Sequence, residues 1–140
     1  MNTWALILVH GAPGYYAVGR EAALALLKHS PFHLAVAHDG GDLQLPPHPR
    51  LHPLYIPPPP PQSERPARFL LKFQAIDILL RQCQPDTLLL LDADAVLVRW
   101  TSESDLHRAL EGAALGMVEQ TTICGSSMAR ADFYDHYRAH

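Results

Sequence analysis

Apolar residues fall along this chain in two rhythms, short unbroken runs and longer stretches spaced at helical intervals. The run Trp4-Ala-Leu-Ile-Leu-Val9 ends at His10-Gly11-Ala12-Pro13-Gly14, the pattern of a strand covered on both faces that breaks into a glycine loop. From about 17 to 29, Ala22, Ala23, Leu24, Ala25, Leu26 and Leu27 are strong helix formers, and Ser30-Pro31 supplies a stop. A second apolar run over 32–38 closes at Asp39-Gly40-Gly41. Strand, helix and strand in that order predict a βαβ unit with parallel strands, the first half of a nucleotide-binding α/β fold.

The segment 45–66 holds ten of the thirteen prolines, five of them in a row at 57–61. No helix can pass through such a segment. It is expected to be a rigid loop with a short strand near 51–56, although polyproline also serves as a ligand for aromatic-lined adaptor domains. Beyond it, Phe69, Phe73, Ile76, Leu80 and Cys83 are spaced four, three, four and three, which predicts a helix with that stripe against the core. Arg65, Arg68 and Lys72 line another edge near its start, and either a solvated basic face or phosphate contact fits them. The run Thr87-Leu-Leu-Leu-Leu91, expected to be a fully buried strand, leads into Asp92-Ala93-Asp94. Val96 to Val98 could add a short strand. Thr101-Ser102-Glu103-Ser104-Asp105 offers capping chemistry for a helix to about Glu111, with Gly112 as its stop. Weaker strand patterns cover 114–118 and 123–128, and a terminal helix is expected over 131–140.

Composition narrows the function classes. With 140 residues, 48% of them hydrophobic and 18% charged, the chain is expected to form a single domain over 1–140 with a packed core. A net charge of −3 without a long basic run gives no footprint for nucleic acid. The cysteines, Cys83 and Cys124, lie far apart and outside metal-type spacing, so neither a disulfide scaffold nor a structural zinc site is expected, and a reducing cytoplasm fits. The apolar run 4–9 is too short to span a bilayer and lacks the basic segment of a secretory signal. Peripheral membrane association and a homodimer stay open.

The sharpest chemistry lies at Asp92 and Asp94. Two carboxylates one residue apart at the end of a parallel strand occupy the place where open α/β sheets bind ligands. Along a straight strand they point to the same side and can converge on one ion. Their mutual repulsion is relieved by a divalent cation, and oxygen ligands of this kind suit Mg2+ or Mn2+, with water and phosphate oxygens completing the shell. The competing assignment gives one aspartate to a turn and leaves the other solvated.

The segment Thr87-Leu-Leu-Leu-Leu-Asp-Ala-Asp-Ala-Val-Leu-Val98, with the preceding helix and its Arg68-Phe-Leu-Leu-Lys72 start, resembles the core of GT-A glycosyltransferases, whose Asp-X-Asp motif binds the metal and the donor nucleotide. The resemblance implies a three-layer α/β/α, Rossmann-like fold with a mostly parallel central sheet. It also implies an enzyme that moves a sugar from a UDP- or GDP-sugar donor to an acceptor the sequence does not name. Asp94 is then the main metal ligand, while Asp92, with Ala93, contacts metal or ribose. His10, Gly11, Ala12, Tyr15 and Tyr16 resemble the loop around the base, and Asp39 stands where a base or ribose contact often lies. Arg68 and Lys72, or Arg65, share the diphosphate charge. Cys124, Gly125 and Ser126 resemble the small-residue segment lining the donor-sugar pocket. Family members are commonly longer, and the later region that supplies a further metal ligand is not matched here; His136 and His140 carry no such motif.

Two other classes compete. Asp92 and Asp94 have the spacing of the nucleophile and the acid-base carboxylate of haloacid-dehalogenase-like phosphatases. In that family the motif stands near the start of the domain, whereas here it stands late. A non-catalytic module that binds a nucleotide-sugar is the other alternative.

Overall fold

The structure, a computed structural model, describes residues 2–58, 60, 65–114, 122, 123, 126 and 127; for 65–69 and the last four of these it describes the backbone alone. Five elements follow one another in the first half of the fold: β1 (Thr3–Val9), α1 (Pro13–His29), β2 (His33–His38), β3 (Leu51–Tyr55) and α2 (Arg65–Cys83). Then come β4 (Thr87–Leu91), α3 (Glu103–Leu110), β5 (Thr122–Ile123) and β6 (Ser126–Ser127). Contacts divide the chain into two compact units, Met1–Leu106 and His107–His140.

In the first unit the strands form a parallel sheet in the order β3-β2-β1-β4. The architecture is α/β and consistent with a Rossmann-like fold. Alternation along β1 sends its residues to two separate cores. Ala5, Ile7 and Val9 join Leu34 and Val36 of β2 against Ala22, Ala23 and Leu26 of α1. Trp4 and Leu6 join Ala35 and Ala37 against Leu71, Ala75 and Leu79 of α2. Each leucine so enclosed contributes about 2 kcal/mol of transfer free energy. Gly19 lets α1 lie close on β1, because a Cβ there would stand 2.4 Å from the Val9 Cγ2.

Several boundaries differ from expectation for identifiable reasons. The helix expected from 17 starts at Pro13, whose fixed φ and missing N–H suit a first helical turn. α2 begins inside the proline-rich segment, with Pro66 in the first turn, where proline is tolerated. Pro53 sits within β3, which pairs only with β2 among the described residues, so its missing N–H can fall on the open side. The expected stripe on α2 is displaced: Phe73 and Leu80 are 67% and 47% exposed, whereas Leu71, Ala75 and Leu79 are buried. The small Ala75 at the centre of the observed stripe allows the close helix-to-sheet approach that Phe73 would prevent.

The strand β4 is not fully buried. Among the described residues it pairs with β1 alone, and Leu90 is 45% exposed. Residues 96–98 form no strand but continue an alternation in which Val96 and Val98 face outward and Leu97 packs inward. α3 starts as the capping chemistry predicts. The Asp105 N–H donates to Ser102 Oγ at 3.2 Å and the Ser102 N–H donates to Asp105 Oδ2 at 2.8 Å, a reciprocal capping box. The chain leaves α3 through Gly112, at a φ of +82°.

In the second unit Thr122 and Ile123 pair antiparallel with Ser127 and Ser126. The single strand expected over 123–128 is therefore two short opposed ones. Of the strand expected over 114–118 only residue 114 is described, as a bend, and the helix expected over 131–140 lies outside the described residues. No helix among the described residues is long and apolar enough to cross a membrane.

Candidate functional site

Strand order makes the site. The chain lays β2 and β3 to one side of β1 and then returns to place β4 on the other, so loops leaving β1 and β4 diverge and leave a crevice at their carboxyl ends. In register, Ile7 stands beside Leu91. His10 therefore follows one strand and Asp92 the other at the same end of the sheet.

A cleft of about 460 Å³ occupies this place, lined by His10, Tyr15, Val18, Asp92, Ala93 and Asp94 together with Leu8. Its size lies within the usual range of small-molecule sites, about 300 to 1,000 Å³. The two aspartates reach it by a different route from the one the strand pattern suggests. β4 ends at Leu91, and the Ala95 N–H donates to the Asp92 carbonyl at 2.9 Å, closing a turn over 92–95. Ala93 packs inward against the α1 core while Asp92 and Asp94 stay exposed on its two sides. The small inward alanine thus leaves both aspartates exposed along the cleft.

Charge is already balanced at one of them. The Lys72 Nζ donates to Asp92 Oδ1 at 2.8 Å, with the aspartate side chain 77% exposed. A surface pair of this kind contributes under about 1 kcal/mol and exchanges readily. Among the described residues no group of three His, Cys, Asp or Glu converges as a metal site. Asp92 and Asp94 can offer two hard oxygen ligands at an open cleft. That donor set fits Mg2+ or Mn2+, which keep several waters and take phosphate oxygens in their shell.

On the other side of the β1–α1 turn, Asp39 ties three segments together. Its Oδ2 accepts from the Gly11 N–H at 2.8 Å and its Oδ1 accepts from the Tyr16 hydroxyl; that hydroxyl in turn accepts from the Gly41 N–H at 2.9 Å. Burial alone would raise the Asp39 carboxyl, but the bonds from Tyr16 and from the Gly11 amide outweigh it and hold the group below its ordinary value. Tyr16 is shifted upward, first by burial and then by the carboxylate it serves. A cleft of about 400 Å³ opens beside this link, lined by Gly11, Pro13, Tyr16, Ala17, Arg20, Gly41, Asp42 and Gln44. Gly11 takes a φ of +87°, which favours glycine at this turn.

The predicted residues thus separate into groups. His10, Tyr15, Asp92, Ala93 and Asp94 meet at one cleft, with Lys72 on Asp92. Gly11 and Tyr16 line the neighbouring one, with Asp39 bonded to both beside it, and Ala12 is the N-cap residue of α1. Tyr16 is only 8% exposed and Tyr15 is 61% exposed, so Tyr15 is the ring free to stack on a ligand. Arg65 and Arg68 are placed in the first turns of α2, and their side chains lie outside the described residues. Cys124 and Gly125 also lie outside them, while Ser126 is described only as the first residue of β6.

Sequence reasoning did not foresee that Lys72 would pair with Asp92 or that Arg20 would donate to Gln44 at 2.5 Å across the second cleft. For the second of these the βαβ pattern was the available signal, since it lays α1 beside the loop after β2; nothing in the sequence signalled the first. Comparison with protein-family models, with curated proteins and with solved structures finds no match to this chain.

Proposed function

We propose that this chain is a metal-dependent glycosyltransferase of the GT-A kind, with the three-layer α/β/α arrangement of that fold, acting on a UDP- or GDP-sugar. One observation carries the proposal: Asp92 and Asp94 line a single cleft with His10 and Tyr15 at the point where the strand order reverses. The resemblance of the leucine strand and its Asp-X-Asp turn to the family motif supplies the reaction class. Asp92 and Asp94 would hold Mn2+ or Mg2+, which would supply Lewis-acid stabilisation to the leaving diphosphate.

The remaining work falls to side chains of this chain. Lys72, already at Asp92, reaches the phosphate position and neutralises charge as the nucleotide departs. Tyr15 offers an exposed ring to the base. Asp39, held ionised by Tyr16 and Gly11, fixes the turn that shapes the nucleotide side of the site. Calorimetry of a UDP- and GDP-sugar panel with Mn2+ tests the assignment: binding is expected to require the metal and to fall by tenfold or more in Asp94→Ala. Equal affinity for wild type and Asp94→Ala would count against it. Metal-dependent binding without donor hydrolysis or transfer would instead favour a binding module, and phosphate release from phosphomonoesters through an aspartyl phosphate would favour the phosphatase alternative.

A further inference from the structure

A second cluster of ligating side chains lies at the opposite, amino ends of the strands. His33 opens β2 and His52 is the second residue of β3; the His33 Nδ1 and the His52 Nε2 stand 3.3 Å apart. Both rings rest on the indole of Trp4 in β1, with centroids 4.9 Å away for His33 and 4.6 Å for His52. Trp4 is itself fixed, buried to 6% exposure and donating its Nε1–H to the Asn2 Oδ1 at 2.8 Å. Three strands and one anchored aromatic therefore hold two imidazoles with a nitrogen of each facing the other. The cluster is about 16 Å along β1 from the carboxylate cleft.

We propose that His33 and His52 form a chelating site for a borderline divalent transition ion, zinc above all, independent of the carboxylate pair. The spacing is the first argument. With Zn–N bonds of about 2.0 to 2.1 Å, two nitrogens on one edge of a tetrahedron lie about 3.3 to 3.4 Å apart, the separation already present, so the strands need not move and each ring has only to turn its nitrogen from its partner toward the ion. Ligand type is the second. Imidazole nitrogen suits zinc, copper and nickel, whereas the oxygen ligands of Asp92 and Asp94 suit magnesium and manganese, so the two places select different ions. Water completes the shell on the exposed side of His52. Without the ion, one proton shared between the facing nitrogens fills the gap.

Zinc chloride is titrated calorimetrically into the full chain and into His33→Ala, His52→Ala, His52→Gln and Asp92→Asn/Asp94→Asn. One zinc is expected to bind wild type and the double asparagine variant alike, and to bind each histidine variant tenfold or more weakly. Cobalt(II) gives a second readout in a Trp100→Phe background, where Trp4 is the remaining indole: saturable quenching is expected, and its loss in His52→Gln. His52 is exposed, so its variants keep the test valid even where His33→Ala unfolds. Zinc affinity unchanged by the His52 substitutions, or abolished by the asparagine pair, overturns the proposal.

Discussion

At the residue scale, if Asp92 holds a divalent cation as proposed, the Lys72 ammonium competes with it for the same carboxylate. The ammonium stands 2.8 Å from Asp92 Oδ1, close enough that a metal must displace it or share the oxygen. Lys72→Met is therefore expected to bind Mn2+ alone about twofold to fivefold more tightly, since a surface pair contributes under about 1 kcal/mol. The same variant is expected to bind a nucleoside diphosphate with Mn2+ more weakly, because the phosphate charge loses a partner. Titrations with and without nucleotide separate the two, and changes of the same sign in both would remove Lys72 from the phosphate position. Asp39 gives a pH test of the neighbouring turn. Its carboxyl is depressed below 3.8 in the folded chain, so the stability it contributes is complete above that value and is lost as pH falls from there through the folded value. Asp39→Asn is expected to cost about 1 kcal/mol at neutral pH, the figure for a bond to a charged group reduced because the carboxylate is part-exposed. The gap in melting temperature between the two proteins should narrow on acidification from about pH 6 to pH 3; a constant gap would mean that the charge of Asp39 plays no part.

At the element scale, α1 and α2 bind the sheet in different ways. Gly19 stands where a methyl group would meet the Val9 side chain at 2.4 Å. Gly19→Ala sets about 1 kcal/mol of helix propensity in its favour against about 1 to 3 kcal/mol of overpacking, so a net loss in melting temperature is expected, and a gain would show that α1 can lift off β1. On α2, Leu79→Ala is expected to cost about 2 to 5 kcal/mol while Phe73→Ala costs under about 0.5 kcal/mol, because Leu79 is enclosed and Phe73 is 67% exposed. Equal losses in denaturant midpoints would restore the stripe that the spacing of the phenylalanines suggests. That contrast shows how far the elements were legible. β1 and β2 could be read because unbroken apolar runs in a βαβ pattern have one good solution, a parallel pair covered on both faces. The face of α2 could not, because Leu70, Leu71, Phe73, Ala75, Ile76, Leu79 and Leu80 supply two overlapping stripes of period 3.6. Choosing between them requires knowing how closely the helix must approach the sheet. β4 looked fully buried because a run of four leucines says nothing of how many neighbours a strand has.

At the scale of the whole molecule, what matters is the reversal of strand order at β1. The position of the acid turn was legible because an Asp-Ala-Asp ending on a leucine strand falls at the rim of an α/β sheet. The links from Lys72 to Asp92 and from Asp39 to Tyr16 and Gly11 were not, because they join residues 20, 23 and 28 positions apart, which only the folded topology brings together. If the cleft at the reversal is the donor site, a ligand filling it engages β1, α1 and the turn after β4 at once, beside Lys72 of α2, and ties these parts together. At a hundred times its dissociation constant such a ligand adds about 2.7 kcal/mol, which for a domain of this size raises the melting temperature by about 10 °C. Mn2+ with the matching nucleotide-sugar is expected to give that shift, either alone is expected to give much less, and Asp92→Asn/Asp94→Asn is expected to abolish it while leaving the unliganded melting temperature within a few degrees, since both side chains are exposed. The same shift in the double variant would place the ligand elsewhere, and the carboxylates at the reversal point would lose their claim to the nucleotide.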